Sequence, residues 1–206
     1  MILPGPHLRV GFWKITETAE ELLQKYNPND KETELISAMN PLRQSHYLAC
    51  RVLAKTFYPE LSISKDEKGK PHFDNSEVHF SWSHSGNYAA AIFNTVESTG
   101  IDIETLQPRI LKIEDKFCNA TDKKHIHATR RVESLLLIWG AKESMFKHYG
   151  KKEVDFKKHL SIAEFDLGEE GRFTGKFHKD DEQNEFLFEY SIFDGHVAVW
   201  ILETLS

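Results

Sequence analysis

The chain has 206 residues, 40% of them hydrophobic, with 14 Phe, 6 Tyr and 4 Trp, and a formal net charge of −6. This supplies a sizeable core for one large domain or two small ones and excludes a disordered chain. The acidic balance argues against broad nucleic-acid binding, and no apolar run reaches the ~18 residues of a membrane-spanning helix.

Leu8 to Ile15 alternates as a strand, and Thr18 with Glu21 forms a capping box that opens a short helix to Tyr26. Asn40-Pro41 starts a second helix, along which Leu42, Tyr47, Leu48, Cys50, Leu53, Ala54 and Phe57 form an apolar stripe. Asp66-Glu-Lys-Gly69 is a turn signal. From Glu77 to Ser83, Val78, Phe80 and Trp82 alternate with His79, Ser81 and Ser83. A buried strand over Tyr88 to Phe93 follows the break at Ser85-Gly-Asn87, and Ile101 to Glu104 forms the next strand. Arg131 to Tyr149 is strongly helical and stops at Gly150. Four strands complete the chain: Leu160 to Phe165, Arg172 to Phe177, Phe186 to Phe193 and His196 to Leu202. Asp194-Gly195 marks a two-residue hairpin between the last two.

Each half reads as helices followed by a small antiparallel meander. The expected class is α+β, with two similar halves (1–99 and 100–206) related by a pseudo-two-fold; no residue-level repeat accompanies the parallel. Cys50 and Cys118 make neither a disulfide framework nor a metal-binding spacing, and Cys50 is expected as a small buried hydrophobe. The opening Met1-Ile-Leu-Pro-Gly-Pro carries no leader pattern, so a reduced, cytoplasmic setting is expected. Charge is uneven: Glu164 to Asp194 is acid-rich, while Lys142, Lys147, Lys151, Lys152, Lys157 and Lys158 crowd the stretch before it. Solvated surface is the ordinary reading of both runs; a basic cluster of this kind also suits phosphates or an acidic partner.

Four features carry chemistry. Asp102 and Glu104, two apart on a strand, share a face while Ile101 and Ile103 take the other. Neighbouring carboxylates raise each other's pKa unless a cation sits between them, and hard oxygen ligands suit magnesium. In Trp139-Gly-Ala-Lys142-Glu143-Ser-Met-Phe-Lys147, Glu143 and Lys147 lie one helical turn apart, and Gly140 in mid-helix points to a close backbone approach. Ser83-His84-Ser85 ends a strand in a form suited to phosphate, and Gly69-Lys70-Pro71 fixes a turn that presents Lys70. Taken singly, each has a plain alternative: solvated acids, a surface ion pair, a satisfied turn histidine, a simple hairpin.

Their order along the chain resembles the 4′-phosphopantetheinyl transferases, in the monomeric surfactin-synthetase-activating type of about 200 residues. Leu42-Arg43 through Cys50-Arg51 resembles that family's earlier Arg-containing helix, with His46 standing where an acid is common. The resemblance implies transfer of 4′-phosphopantetheine from coenzyme A to a serine of an apo carrier protein, with release of 3′,5′-ADP. It implies magnesium on Asp102 and Glu104, with Glu143 as third ligand or water-mediated neighbour. Ser83, His84, Lys70, Pro71 and Arg43 or Arg51 would bind coenzyme A, and Lys142 is grouped with them. Lys147 would meet the pyrophosphate and the leaving group, and Glu143 would be the general base, directly or through water. An acidic carrier helix would meet the basic residues of 142–158 and 123–131. The competing readings are another magnesium-dependent phosphoester enzyme acting on nucleotides, which lacks a supporting Asp-x-Asp, and a non-catalytic carrier-binding module, which would need a broken site.

Overall fold

A computed structural model describes residues 2–4, 7–67, 69–151 and 153–205. Lys68 of the turn signal, Lys152 of the basic run and Met1, Gly5 and Pro6 of the opening segment lie outside the described residues.

The architecture is α+β, as the alternation of patterns predicts. Strands β1 (Ile2–Pro4) and β2 (Leu8–Lys14) precede helices α1 (Ala19–Tyr26), α2 (Asp30–Ser37) and α3 (Pro41–Phe57). Strands β3 (Ile63–Lys65), β4 (Pro71–Phe73), β5 (His79–Ser85), β6 (Tyr88–Asn94) and β7 (Ile101–Thr105) follow. After α4 (Glu114–Phe117) come the long α5 (Arg131–Tyr149), α6 (Phe156–His159) and strands β8 (Leu160–Ile162), β9 (Glu170–Lys179), β10 (Glu182–Phe193) and β11 (His196–Thr204).

Local signals explain most boundaries. Thr18 and Glu21 form the expected capping box, Asn40 caps α3 with Pro41 in its first turn, and Gly150 ends α5 at φ +64°. Asp194 and Gly195 both take positive φ, as a two-residue turn between twisted strands requires. Helix α2 goes beyond the sequence expectation: Asn29 caps it, but only Ile36 along it is buried, so its apolar stripe is too short to read.

One antiparallel sheet has the order β1-β2-β6-β5, another has β7-β11-β10-β9-β8, and β3 and β4 form a separate hairpin. The chain crosses from the first large sheet to the second between β6 and β7. The two sheets share a plan of one long helix over an antiparallel sheet, but differ in strand number and order. Helix α3 packs on the first sheet through Leu48, Ala49, Leu53, Phe80 and Phe93. Helix α5 packs on the second through Leu135, Ile138, Met145, Phe188 and Val199. A third core joins the sheets face to face, with Val10, Tyr88 and Ile92 against Ile101, Ile103, Ala198 and Trp200. Cys50 is buried, as expected. No helix among the described residues is long and apolar enough to cross a membrane.

Candidate active site

The free edges of β5 and β7 meet between the two sheets. Ser81 Oγ accepts from the Ile101 N–H (3.4 Å), and Ser85 Oγ accepts from the Thr105 N–H (3.1 Å), a constant offset of 20 residues. The strands therefore run in the same direction, bridged by serine side chains instead of a backbone ladder. On the face predicted for the carboxylates, Ser83 Oγ donates to Asp102 Oδ1 (2.7 Å) and Ser85 Oγ to Glu104 Oε2 (3.0 Å). Ile101 and Ile103 turn into the core, as predicted.

Helix α5 lies across this edge because two glycines let it approach. A Cβ at Gly140 would meet Val199 Cγ2 at 2.9 Å and Asp102 Cβ at 3.9 Å, and one at Gly100 would run into the Ser144 carbonyl. The close backbone approach expected at Gly140 is thus present. Lys147 Nζ donates to both Asp102 Oδ1 and the Ile101 carbonyl at 2.8 Å. Asp102 is 5% exposed, and its Oδ2 is buried with no hydrogen-bond partner among the described residues.

The acids strain against one another. Burial pushes the Glu143 carboxyl up to about 7; Asp102 and Glu104 add to the rise, while Lys147 opposes it. Glu104 is raised by burial and then by Asp102, against hydrogen bonds from Ser85 and Trp139 and the charge of Arg109. Among the described residues, no three His, Cys, Asp or Glu side chains gather closely enough to hold an ion by themselves, so the expected three-acid set is not preformed. The donor chemistry nonetheless fits magnesium. The orphaned Asp102 Oδ2 and two carboxyls with raised pKa values would each gain from a divalent cation whose other ligands are phosphate oxygens and water.

Two cavities flank the acids. The first, about 300 Å³, lies between the β3–β4 hairpin, β5 and the end of α5, and is lined by Lys70, Pro71, Trp82, Phe146 and Lys147 among others. Lys70 Nζ donates to Ser98 Oγ (3.1 Å) and the His148 carbonyl (3.2 Å), and burial lowers its pKa. The second, about 510 Å³, opens on the other side of Phe146 and takes in Glu143, Phe117, Trp139 and Phe156. His84 is exposed beside this centre with its ring stacked on His46, centroids 4.3 Å apart. Burial of the stacked face lowers its pKa, and His46 and Lys147 add positive repulsion.

Two expected ligand residues, Lys142 and Arg51, are enclosed within the fold, and a third, Arg43, stands at the surface. Lys142 is wholly buried on the opposite side of α5, where its ammonium donates to Asp122 Oδ2 (2.5 Å) and to the carbonyls of Phe117, Phe156 and Leu160. It has no path to coenzyme A and does not belong to the surface basic cluster. Arg51 is 4% exposed, stacked on Tyr47 and Trp82 beside Glu32 (3.6 Å), so its charge is spent within the fold. Arg43 is exposed on the first turn of α3, its backbone N–H bonded to the Asn40 cap (3.0 Å).

Sequence reasoning missed Arg109 and named Ser85 and His46 without giving them their partners in the site. The alternation Ser81, Ser83, Ser85 was the available signal for Ser85, and a base five residues after Glu104 for Arg109. His46, one of whose ring nitrogens is 2.8 Å from the Gly86 carbonyl, left no linear trace of its partners.

Comparisons agree with the motifs. The family model described as the 4′-phosphopantetheinyl transferase superfamily matches residues 98–201, half of the chain, including β7 and α5. The chain is 33% identical over 96 residues to the 4′-phosphopantetheinyl transferase Sfp of Bacillus subtilis (strain 168), covering 45% of this chain and 42% of that protein. A second Bacillus subtilis 4′-phosphopantetheinyl transferase is 30% identical over 95 residues, again 42% of its length. With the 4′-phosphopantetheinyl transferase AcpT of Escherichia coli O157:H7 the identity is 29% over 133 residues, 59% of this chain and 68% of that protein. The chain thus spans less than half the length of the two Bacillus relatives it matches. On the family match, which takes in Asp102, Glu104, Glu143 and Lys147, the chain belongs to the 4′-phosphopantetheinyl transferase superfamily.

Proposed function

We propose that the protein transfers 4′-phosphopantetheine from coenzyme A to a serine of an apo acyl, peptidyl or polyketide carrier protein and releases 3′,5′-ADP. It would act as a monomer in the cytoplasm, with residues 1–99 and 100–206 as the halves flanking its site. The observation that carries this reading is the Asp102 node. One buried carboxylate takes Ser83 and Lys147 on a single oxygen, leaves the other without a partner among the described residues, and adds to the rise that burial gives the pKa of Glu143 on the same helix as Lys147.

Asp102 and Glu104 would hold magnesium in this reading, with Glu143 as third ligand directly or through water, and the ion would supply positive charge to offset that of the coenzyme A pyrophosphate. Lys70 and Pro71 line the nucleotide end, where the exposed Arg43 adds charge, and Ser83 and His84 contact its phosphates. Lys147 lines the first cavity, and in this reading its ammonium meets the pyrophosphate and then the leaving 3′,5′-ADP. Glu143 accepts the proton of the carrier serine, directly or through water, as the serine oxygen bonds the β-phosphorus and the bond to the bridging oxygen breaks. Burial pushes this carboxyl up to about 7 in the metal-free site, and a bound cation would bring it back down and keep it ionised to accept the proton at neutral pH. Catalysis then rests on positioning and charge neutralisation, with no covalent enzyme intermediate.

The decisive experiment incubates the protein with coenzyme A, magnesium and several classes of apo carrier protein, and weighs the carriers by mass spectrometry. A phosphopantetheinyl mass increase on at least one carrier is expected; no increase on any of them ends this reading.

A further inference from the structure

The buried Lys142–Asp122 pair has no part in the chemistry above, yet it sits one residue from Glu143. Its ammonium is wholly enclosed and meets four oxygens with three N–H groups. Asp122 is equally enclosed: Oδ2 also accepts the Asn119 N–H (2.8 Å) and Oδ1 accepts the Ile162 N–H (2.9 Å). Two of the carbonyls held by Lys142 belong to Phe117 and Phe156, whose side chains are walls of the second cavity. Both rings pack on Trp139 of α5, at 5.2 and 5.6 Å between centroids. One ammonium therefore ties α5, the end of α4 and α6 together around the cavity that contains Glu143.

Stability alone is a poor reason for such a pair, since apolar residues of similar volume commonly match or exceed a buried ion pair. Position is a better one. Breaking the four bonds frees three backbone segments on the Glu143 side of Phe146 and none on the Lys147 side. We propose that Lys142 and Asp122 form a positioning pair for the acceptor side of the site, holding the Phe117 and Phe156 walls so that an incoming hydroxyl-bearing protein segment meets Glu143. This rests on the transferase reading, with the second cavity receiving the carrier serine and the first receiving coenzyme A.

The test removes both charges at once in Lys142→Met with Asp122→Asn, which keeps side-chain volume and avoids an uncompensated buried ion. Steady-state kinetics with coenzyme A and a carrier that the wild type modifies should show kcat/KM for the carrier reduced roughly a hundredfold, as expected for a displacement of about 1 Å at a reacting group. The KM for coenzyme A should stay within about twofold, because its cavity keeps its walls. Amide hydrogen exchange should lose protection over 113–125 and 153–160 while α5, β10 and β11 keep theirs. Unchanged carrier kinetics would overturn the proposal, as would equal losses toward both substrates with protection lost throughout, the sign of a merely structural pair. Should the double variant not fold, Phe156→Ala trims the same wall and leaves the pair intact. It should give the same carrier-selective loss, and wild-type kinetics from it would overturn the proposal. A wild-type protein that modifies no carrier defeats the transferase reading and this role with it, whereas wild-type activity with an unselective variant defeats this role alone.

Discussion

Ser83 Oγ donates to Asp102 Oδ1 across 2.7 Å, and that bond joins the edge strands of two different sheets. With Lys147 on the same oxygen, it fixes the carboxylate's orientation and leaves Oδ2 buried with no partner among the described residues. A residue arranged in this way contributes repulsion to its neighbours as well as attraction, and the two effects separate on substitution.

Asp102→Asn should lower kcat about a thousandfold, the equivalent of roughly 4 kcal/mol of transition-state stabilisation. The melting temperature should fall by no more than about 3 °C, or ~1 kcal/mol, because relief of repulsion at Glu143 and Glu104 offsets the lost pairing with Lys147. Transfer kinetics and a thermal melt on the same preparation check both halves; wild-type turnover would remove Asp102 from the site.

The raised Glu143 carboxyl gives stability a definite pH slope. Its folded pKa, about 7, lies above the ordinary 4.5, so between those values the folded state holds more protons than the unfolded one. Its contribution to stability is therefore present below about 4.5 and is lost as pH rises toward 7. Glu104 is shifted in the same direction. Urea unfolding of the metal-free protein should show this decline, and Glu143→Gln should flatten it. Magnesium should restore stability above pH 7, since a cation favours the charged carboxylates; no response to magnesium at pH 8 would count against the assigned ligands.

Lys70 and Arg51 should respond oppositely. Lys70 is only partly enclosed at the mouth of the first cavity, so Lys70→Ala should raise the KM for coenzyme A about tenfold, or ~1.4 kcal/mol, with little change in kcat. Arg51 is packed between two rings, so Arg51→Met should leave that KM alone and cost roughly 2 kcal/mol of stability through lost stacking and an unpaired Glu32. Paired KM and urea-midpoint measurements distinguish the two roles.

Gly100→Ala should destabilise by about 3 kcal/mol, because the new methyl meets a helix carbonyl that has no rotamer by which to yield. Chemical denaturation measures the loss. An unperturbed midpoint would mean that α5 does not lie so close to β7.

How much of this was legible follows from range. Helix α5 was read to its ends, because a long run rich in Leu, Lys, Glu and Met, interrupted only at Gly140, stops at a glycine that takes the left-handed conformation. The face shared by Asp102 and Glu104 was equally local, a matter of period two. Lys142 was misplaced for a related reason. Ten residues of α5 are buried, spread around the helix, so its sequence has no polar face from which to infer that Lys142 points inward. Nothing near Asp122 announces a partner twenty residues away. The four-residue helices α4 and α6 are too short for a periodic signal and are held largely by the contacts that Lys142 makes.

Because serine side chains, and not a neighbouring backbone, cover the outer edge of β7, the seam protects each sheet from other chains as well as building a site. A cut between residues 99 and 100 would bare two strand edges at once, each a template for pairing with a second molecule. Either fragment expressed alone should self-associate, and co-expression should suppress this by letting Ser81, Ser83 and Ser85 find β7 again. The serines that hold Asp102 and Glu104 would then double as the guard on an aggregation-prone edge.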